Sequence, residues 1–254
     1  MTTITFFSPK GGAGRTTAVM AMASAILEEN KLKPAVIDMT EEAGPLGHGK
    51  PSSLTMWERK MVKCGYSFDD FRVEEVYDFE SMIRADCECE FSEFAYQLVD
   101  TPKRPNELVL NKVGRSDLII VPFKNAAEAA LISKWLAKHL EKKQLIHGLA
   151  TAIETEDDYL LARRAFAGFP VLQTYLPNVQ IFKRQPEFGH LFSIEPREAD
   201  PANPTPEEMR IRFLYDEGCR SAQDLWDEVR WIIHEDEERK REARNVIDRR
   251  KVIR

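Results

Sequence analysis

The chain has 254 residues, 43% of them hydrophobic, and a formal net charge of −6 at pH 7. That supplies one large α/β core or two small ones and excludes wholesale disorder. It also excludes a protein that coats nucleic acid over its whole surface, although a local basic patch stays open. Strand and helix signals then alternate along the chain. Ile4-Thr5-Phe6-Phe7 is a short apolar strand that stops at Ser8-Pro9. Thr16 to Glu29 reads as a helix whose Ala18, Val19, Ala21, Met22, Ala25 and Ile26 are apolar on most sides, as suits packing on a sheet. Ala35-Val36-Ile37-Asp38 is a second buried strand, ending in an acid. Glu41 to Ser53 is a Gly- and Pro-rich loop, and Ser53 to Trp57 starts a helix on which Trp57 serves packing. Tyr96 to Asp100 is a third strand and also ends in an acid. Leu118 to Val121 is the clearest buried strand, followed by a helix over Ala126 to Leu140 and a strand over Leu149 to Ile153. Glu195 to Pro206, with four prolines, reads as an exposed loop. A last helix is expected from Ser221, with Ala222, Leu225, Trp226 and Val229 on one face.

This alternation implies crossover units: an α/β fold with a single doubly wound, mainly parallel sheet flanked by helices, and a basic C-terminal helical tail. The expected division is an α/β body over residues 1–238 and a helical extension over 239–254. The start Met1-Thr2-Thr3 has no basic n-region and no run is long enough to span a bilayer, so a cytoplasmic chain is expected. Cys64, Cys87, Cys89 and Cys219 read as plain thiols, because Cys87-Glu88-Cys89 is too tight for the usual zinc spacing.

Between the first strand and first helix lies Ser8-Pro9-Lys10-Gly11-Gly12-Ala13-Gly14-Arg15-Thr16-Thr17. A glycine-rich turn opening a helix points backbone N–H groups and the positive end of the helix dipole at phosphate oxygens. Gly11, Gly12, Ala13, Gly14, Arg15, Thr16 and Thr17 are the candidate nucleotide contacts, with the Thr16 hydroxyl suited to Mg²⁺. Asp38 and Asp100 put acids at the carboxyl edge of the same sheet, where ligands bind in open α/β folds.

The run Lys10 to Thr17 resembles the deviant Walker A motif K-G-G-x-G-K-T-[ST] of the ParA/MinD ATPases, and Val99-Asp100-Thr101-Pro102 resembles their Walker B segment. Ser116 to Pro122 is similar to a later strand of that family. In feel, the chain is nearest the members that act in T-DNA transfer and plasmid maintenance. The resemblance implies a P-loop NTPase fold, ATP or ADP with Mg²⁺ as cofactors, and a homodimer formed on nucleotide binding. It implies that Lys10 reaches the partner subunit's phosphates and that Asp100 orients Mg²⁺ through water. Thr16, Asp38 and Asp100 are thus the expected metal residues, and Lys10, Arg15 and Asp38 the catalytic ones.

Two departures bear on catalysis. Arg15 stands where the family has its second lysine, and Asp38-Met39-Thr40 lacks the second acid of the family's D-x-D. Arginine keeps the charge but is a planar fork rather than a compact point charge. Phosphoryl transfer rests on positioning and charge stabilisation, so weak or absent hydrolysis is expected unless Glu41 or Glu42 replaces the missing acid. His48 reads as solvated, and Lys103 and Arg104 as surface charges that line a dimer face or meet nucleic acid. The tail carries Arg239, Lys240, Arg241, Arg244, Arg249, Arg250, Lys251 and Arg254 against Glu242 and Asp248. It is read either as a solubilising helix end or as a non-specific contact to the DNA backbone. Val246, Ile247, Val252 and Ile253 are too thin an apolar face for membrane binding. The expected function is a ParA-like switch that binds ATP and then DNA or a partner protein of partition or transfer machinery. The alternatives are a non-catalytic scaffold of the same fold and a metabolic relative.

Overall fold

The structure is a computed structural model that describes residues 1–29, 32–39, 51–140, 144–196 and 204–252, with the backbone alone from 245. Thr40, Glu41, Glu42, His48 and Arg254 lie outside the described residues. The elements run β1 (Thr2–Phe6), α1 (Arg15–Glu28), β2 (Pro34–Asp38), α2 (Ser53–Lys63), β3 (Arg72–Glu75), α3 (Phe79–Phe91), β4 (Tyr96–Asp100) and α4 (Glu107–Arg115). They continue with β5 (Leu118–Phe123), α5 (Ala126–His139), β6 (Ile146–Ile153), α6 (Glu156–Ala165), β7 (Leu176–Pro177), α7 (Gln180–Phe188) and α8 (Pro206–Val252).

The seven strands form a parallel sheet in the order β3-β2-β4-β1-β5-β6-β7. Side chains alternate between its faces, so every inner strand must be apolar on both sides. Ile4, Phe6, Val36, Leu98 and Ile120 face a core built with α1, α2, α7 and α8, where Trp57, Ile181 and Trp226 are buried. Phe7, Ala35, Ile37, Val99, Ile119 and Val121 face a second core built with the helices α3 to α6. Trp57 is fully buried and its indole N–H donates to the Gly189 carbonyl at 2.8 Å, which makes it a packing residue.

Strand β1 is the switch point. The chain first builds β2, β3 and β4 on one side of it, then crosses to build β5, β6 and β7 on the other. Connections that diverge in this way leave a crevice at the carboxyl edge.

The sequence reading missed strands β3 and β7 and placed the start of the last helix too late. The Tyr96–Asp100 strand is fourth in the chain because β3 precedes it. Strand β3 has the sequence RVEE and pairs only with β2, so as an edge it lacks the apolar run that marks a buried strand. The last helix begins at Pro206 and not at Ser221. Thr205 starts it as a capping box: the Glu208 N–H donates to Thr205 Oγ1 at 3.3 Å and the Thr205 N–H to Glu208 Oε2 at 2.7 Å, with proline at the first helical position. The expected face of Ala222, Leu225, Trp226 and Val229 is fully buried.

Candidate functional site

The crevice holds a cavity of about 730 Å³, lined on one side by Gly12 to Thr17 with Asp38, Asp100, Pro102 and Lys103. Leu176, Pro177, Asn178, Val179, Phe182 and Lys183, from β7 and the start of α7, form another wall. Its size lies within the range of small-molecule sites.

The loop after β1 is shaped by its glycines. Gly14 is the N-cap of α1 at φ 89°, and a Cβ there would lie 2.8 Å from Thr151 Oγ1. Thr151, on β6, donates its hydroxyl hydrogen bond to the Ala13 carbonyl at 2.7 Å and so braces the loop against the sheet. Helices α2 to α6 each begin with a side chain that caps the backbone, from Ser52, Asp78, Asn106, Asn125 and Thr155. At α1 the cap is glycine, with no side-chain hydrogen bond and no acid in the first turn. Its leading N–H groups and dipole therefore face the cavity with no anion supplied by the first turn.

The acids come from neighbouring strands. Asp38 and Asp100 are register partners at the ends of β2 and β4, and both are fully buried. Thr16 donates its hydroxyl to Asp100 Oδ2 at 2.5 Å. A hydroxyl and a carboxylate this close, beside a glycine-capped helix start, fit Mg²⁺, which binds through one or two protein oxygens and completes its shell with phosphate and water. Among the described residues there is no cluster of three or more His, Cys, Asp or Glu that would hold a metal without such a ligand.

Two basic residues of the loop have partners within this chain. Lys10 Nζ lies 2.8 Å from Glu128 Oε1. Glu128 is itself fixed at the start of α5: its N–H donates to Asn125 Oδ1 at 3.0 Å and its Oε2 accepts from the Lys124 N–H at 3.0 Å. Arg15 opens α1 with its backbone, and the residue is only 8% exposed. Its Nη1 donates to the Ser8 carbonyl at 2.6 Å and the Pro102 carbonyl at 2.7 Å, tying the loop after β1 to the loop after β4.

The structure thus brings Gly12, Ala13, Gly14, Arg15, Thr16, Thr17, Asp38 and Asp100 around one cavity. The tail is elsewhere: α8 buries Ile232 and Ile233, and its described residues from Glu237 to Arg244 are exposed, Arg239, Lys240, Arg241 and Arg244 among them. Sequence reasoning missed Glu128, Thr151 and Asn178. Asn125 followed three residues later by Glu128 is a helix-start signal that was available. Nothing local marks Thr151 or Asn178, which reach the site only through the sheet.

Comparison with known proteins decides the family. A family model described as VirC1 protein matches residues 1–133. The chain belongs to the VirC1 family. It is 32% identical over 125 residues to VirC1 of Rhizobium rhizogenes and 33% to that of Rhizobium radiobacter. Each alignment spans 48% of this chain and 48% of the relative, so the match covers about half the length of either VirC1. Among solved structures, the cell division ATPase MinD of Pyrococcus furiosus aligns with a TM-score of 0.56 at 15% identity, over 91% of this chain and 99% of that one. A ParA family ATPase of Chlorobium tepidum gives 0.51 at 14%, over 74% and 89%. Cobyrinic acid a,c-diamide synthase of Mycobacterium smegmatis, with bound ATP analogue and magnesium, gives 0.50 at 14%, over 74% and 92%. These likenesses establish the ParA/MinD-type fold of this VirC1 family member.

Proposed function

We propose that the protein is a nucleotide-dependent dimerising switch that binds ATP or ADP with Mg²⁺ and acts in the transfer or partition of DNA, with slow or absent hydrolysis. The observation that carries this reading is the Thr16 hydroxyl on the Asp100 carboxylate beneath the glycine-capped start of α1. The amides from Gly12 to Thr17 would bind the phosphate oxygens, and Thr16 and Asp100 would hold the metal, with Asp38 next to them. Bound Mg²⁺ would neutralise charge on the phosphates. The base and ribose would rest against Pro177, Asn178, Val179 and Phe182, which line the same cavity. A fold neighbour solved with an ATP analogue and magnesium supports the choice of ligand.

Slow turnover follows from Thr40 in place of an acid and from Arg15 in place of lysine. The role in DNA transfer or partition is drawn from the VirC1 family match and the ParA-type fold. In this reading residues 1–238 form the nucleotide body and 239–254 a basic arm for the backbone of DNA, with a protein partner of the transfer or partition machinery as the third component. Among the described residues no helix is long and apolar enough to cross a membrane.

The test is calorimetric titration with ATP and ADP in the presence of Mg²⁺, with the size of each state measured in parallel. The expected result is nucleotide binding and a dimer with ATP. Absence of binding to either nucleotide would favour the scaffold reading.

A further inference from the structure

The cavity is lined by Lys103, Lys124 and Lys183 besides Arg15. Lys103 follows Pro102, whose carbonyl Arg15 grips. Its side chain lies across the loop: a Cβ at Gly11 would stand 3.0 Å from Lys103 Cδ and 3.2 Å from Cγ. A side chain at Gly11 would press on the lysine stem. Lys103 lines the cavity with Gly12, Gly14 and Thr16, and no ion pair among the described residues engages it.

We propose that Lys103 is the phosphate-binding lysine of this site and that Arg15 is a strut between the loops after β1 and β4. Arg15 is buried, and its Nη1 is spent on two main-chain carbonyls. A phosphate contact made through Nη1 would break these bonds and leave the carbonyls of Ser8 and Pro102 without that donor. An exposed ammonium on a flexible stem has no such tie and delivers its charge as a point, as a phosphate nest requires. The strut also fixes the backbone immediately before Lys103. Gly11, Arg15 and Lys103 thus form one device, in which the arginine places the lysine and the glycine makes room for it. The assignment rests on the nucleotide reading above.

The test uses the full chain and three probes with Mg²⁺: ATP, inorganic tripolyphosphate and adenosine. Lys103→Ala is expected to weaken ATP and tripolyphosphate binding by about 10- to 100-fold, the loss of one charge-assisted contact, and to leave adenosine affinity and the melting temperature unchanged. Lys103→Arg should restore most of that loss. Arg15→Lys should lower the melting temperature of the nucleotide-free protein, because a lysine does not span both carbonyls. The proposal fails if Lys103→Ala binds ATP and tripolyphosphate like wild type. It fails equally if the loss follows Lys124→Ala instead, or if Arg15→Lys alters ATP affinity with no change in melting. Should wild type bind tripolyphosphate through Lys103 but not ATP, the nucleotide reading falls and the phosphate assignment stands. Binding of neither ATP nor tripolyphosphate would overturn both.

Discussion

Individual side chains carry more than the motif suggests. Gly14 combines φ 89° with a Cβ position 2.8 Å from Thr151 Oγ1, so both backbone and space demand glycine. Left-handed backbone costs an alanine about 1–2 kcal/mol before the contact with Thr151 is counted. Gly14→Ala is expected to destabilise the protein by at least that amount in urea unfolding and to lose phosphate binding, since the loop can no longer seat against β6. His190 gives a second prediction, in pH. It is 1% exposed, and burial lowers its pKa, against the opposing pull of the Ser24 carbonyl and Glu28. The unfolded histidine titrates near ~6.5. Below that value the unfolded state takes up a proton that the folded state resists, so stability present at higher pH is lost as pH falls. His147, also desolvated, adds in the same direction. Denaturant unfolding at pH 7.5 and 5.5 should show a fall in stability, and His190→Asn should reduce that fall. An equal fall in both proteins would remove His190 as its source.

At the scale of elements, α8 has two halves with different physics. It spans 47 residues, about 70 Å. Its first half buries Tyr215, Ala222, Leu225, Trp226, Val229, Ile232 and Ile233 against the sheet's helices. Trp226 also donates its indole N–H to Glu29 Oε1 at 2.8 Å, and Arg230 pairs with the same carboxylate at 2.7 Å. From Glu237 to Arg244 the residues are exposed, and Lys240 is partly neutralised by Asp236 at 2.7 Å. An exposed helix end adds little to folding, so removing residues 239–254 is expected to leave the melting temperature and nucleotide affinity unchanged. If the tail contacts DNA, each phosphate it neutralises contributes roughly −0.9 to the slope of log K against log salt. Truncation should then flatten the slope by several units. An unchanged slope would move the contact to the body.

For the molecule as a whole, the ion pair of Lys10 with Glu128 holds the lysine against its own α5. A cross-dimer contact by Lys10 requires this pair to open. Lys10→Ala is therefore expected to keep nucleotide binding in the monomer and to lose the ATP-dependent dimer, by calorimetry and by light scattering. Glu128→Gln should act in the opposite sense and raise the dimer fraction at a given ATP concentration. Loss of monomer nucleotide binding in Lys10→Ala, with the dimer fraction unchanged, would exclude the cross-dimer role.

Several features of this protein were decided by sequence alone. Inner strands of a parallel sheet are apolar on both faces, so Leu118 to Val121 and Ala35 to Ile37 announce themselves, and Asp38 and Asp100 at the ends of β2 and β4 mark the carboxyl edge. The glycine-rich turn before α1 is local chemistry and was legible for the same reason. The start of α8 was equally local: Thr205-Pro206-Glu207-Glu208 is a complete helix-start signal, hidden only by the prolines before it. Other features needed the fold. Edge strands β3 and β7 have no buried run to read, because one is polar and the other spans two residues. Thr151 meets the loop 138 positions away, and Arg15 meets Pro102 87 positions away. Which basic side chains line the cavity depends on where strand ends meet. Periodicity records which face of an element is buried, but not which distant residue waits there.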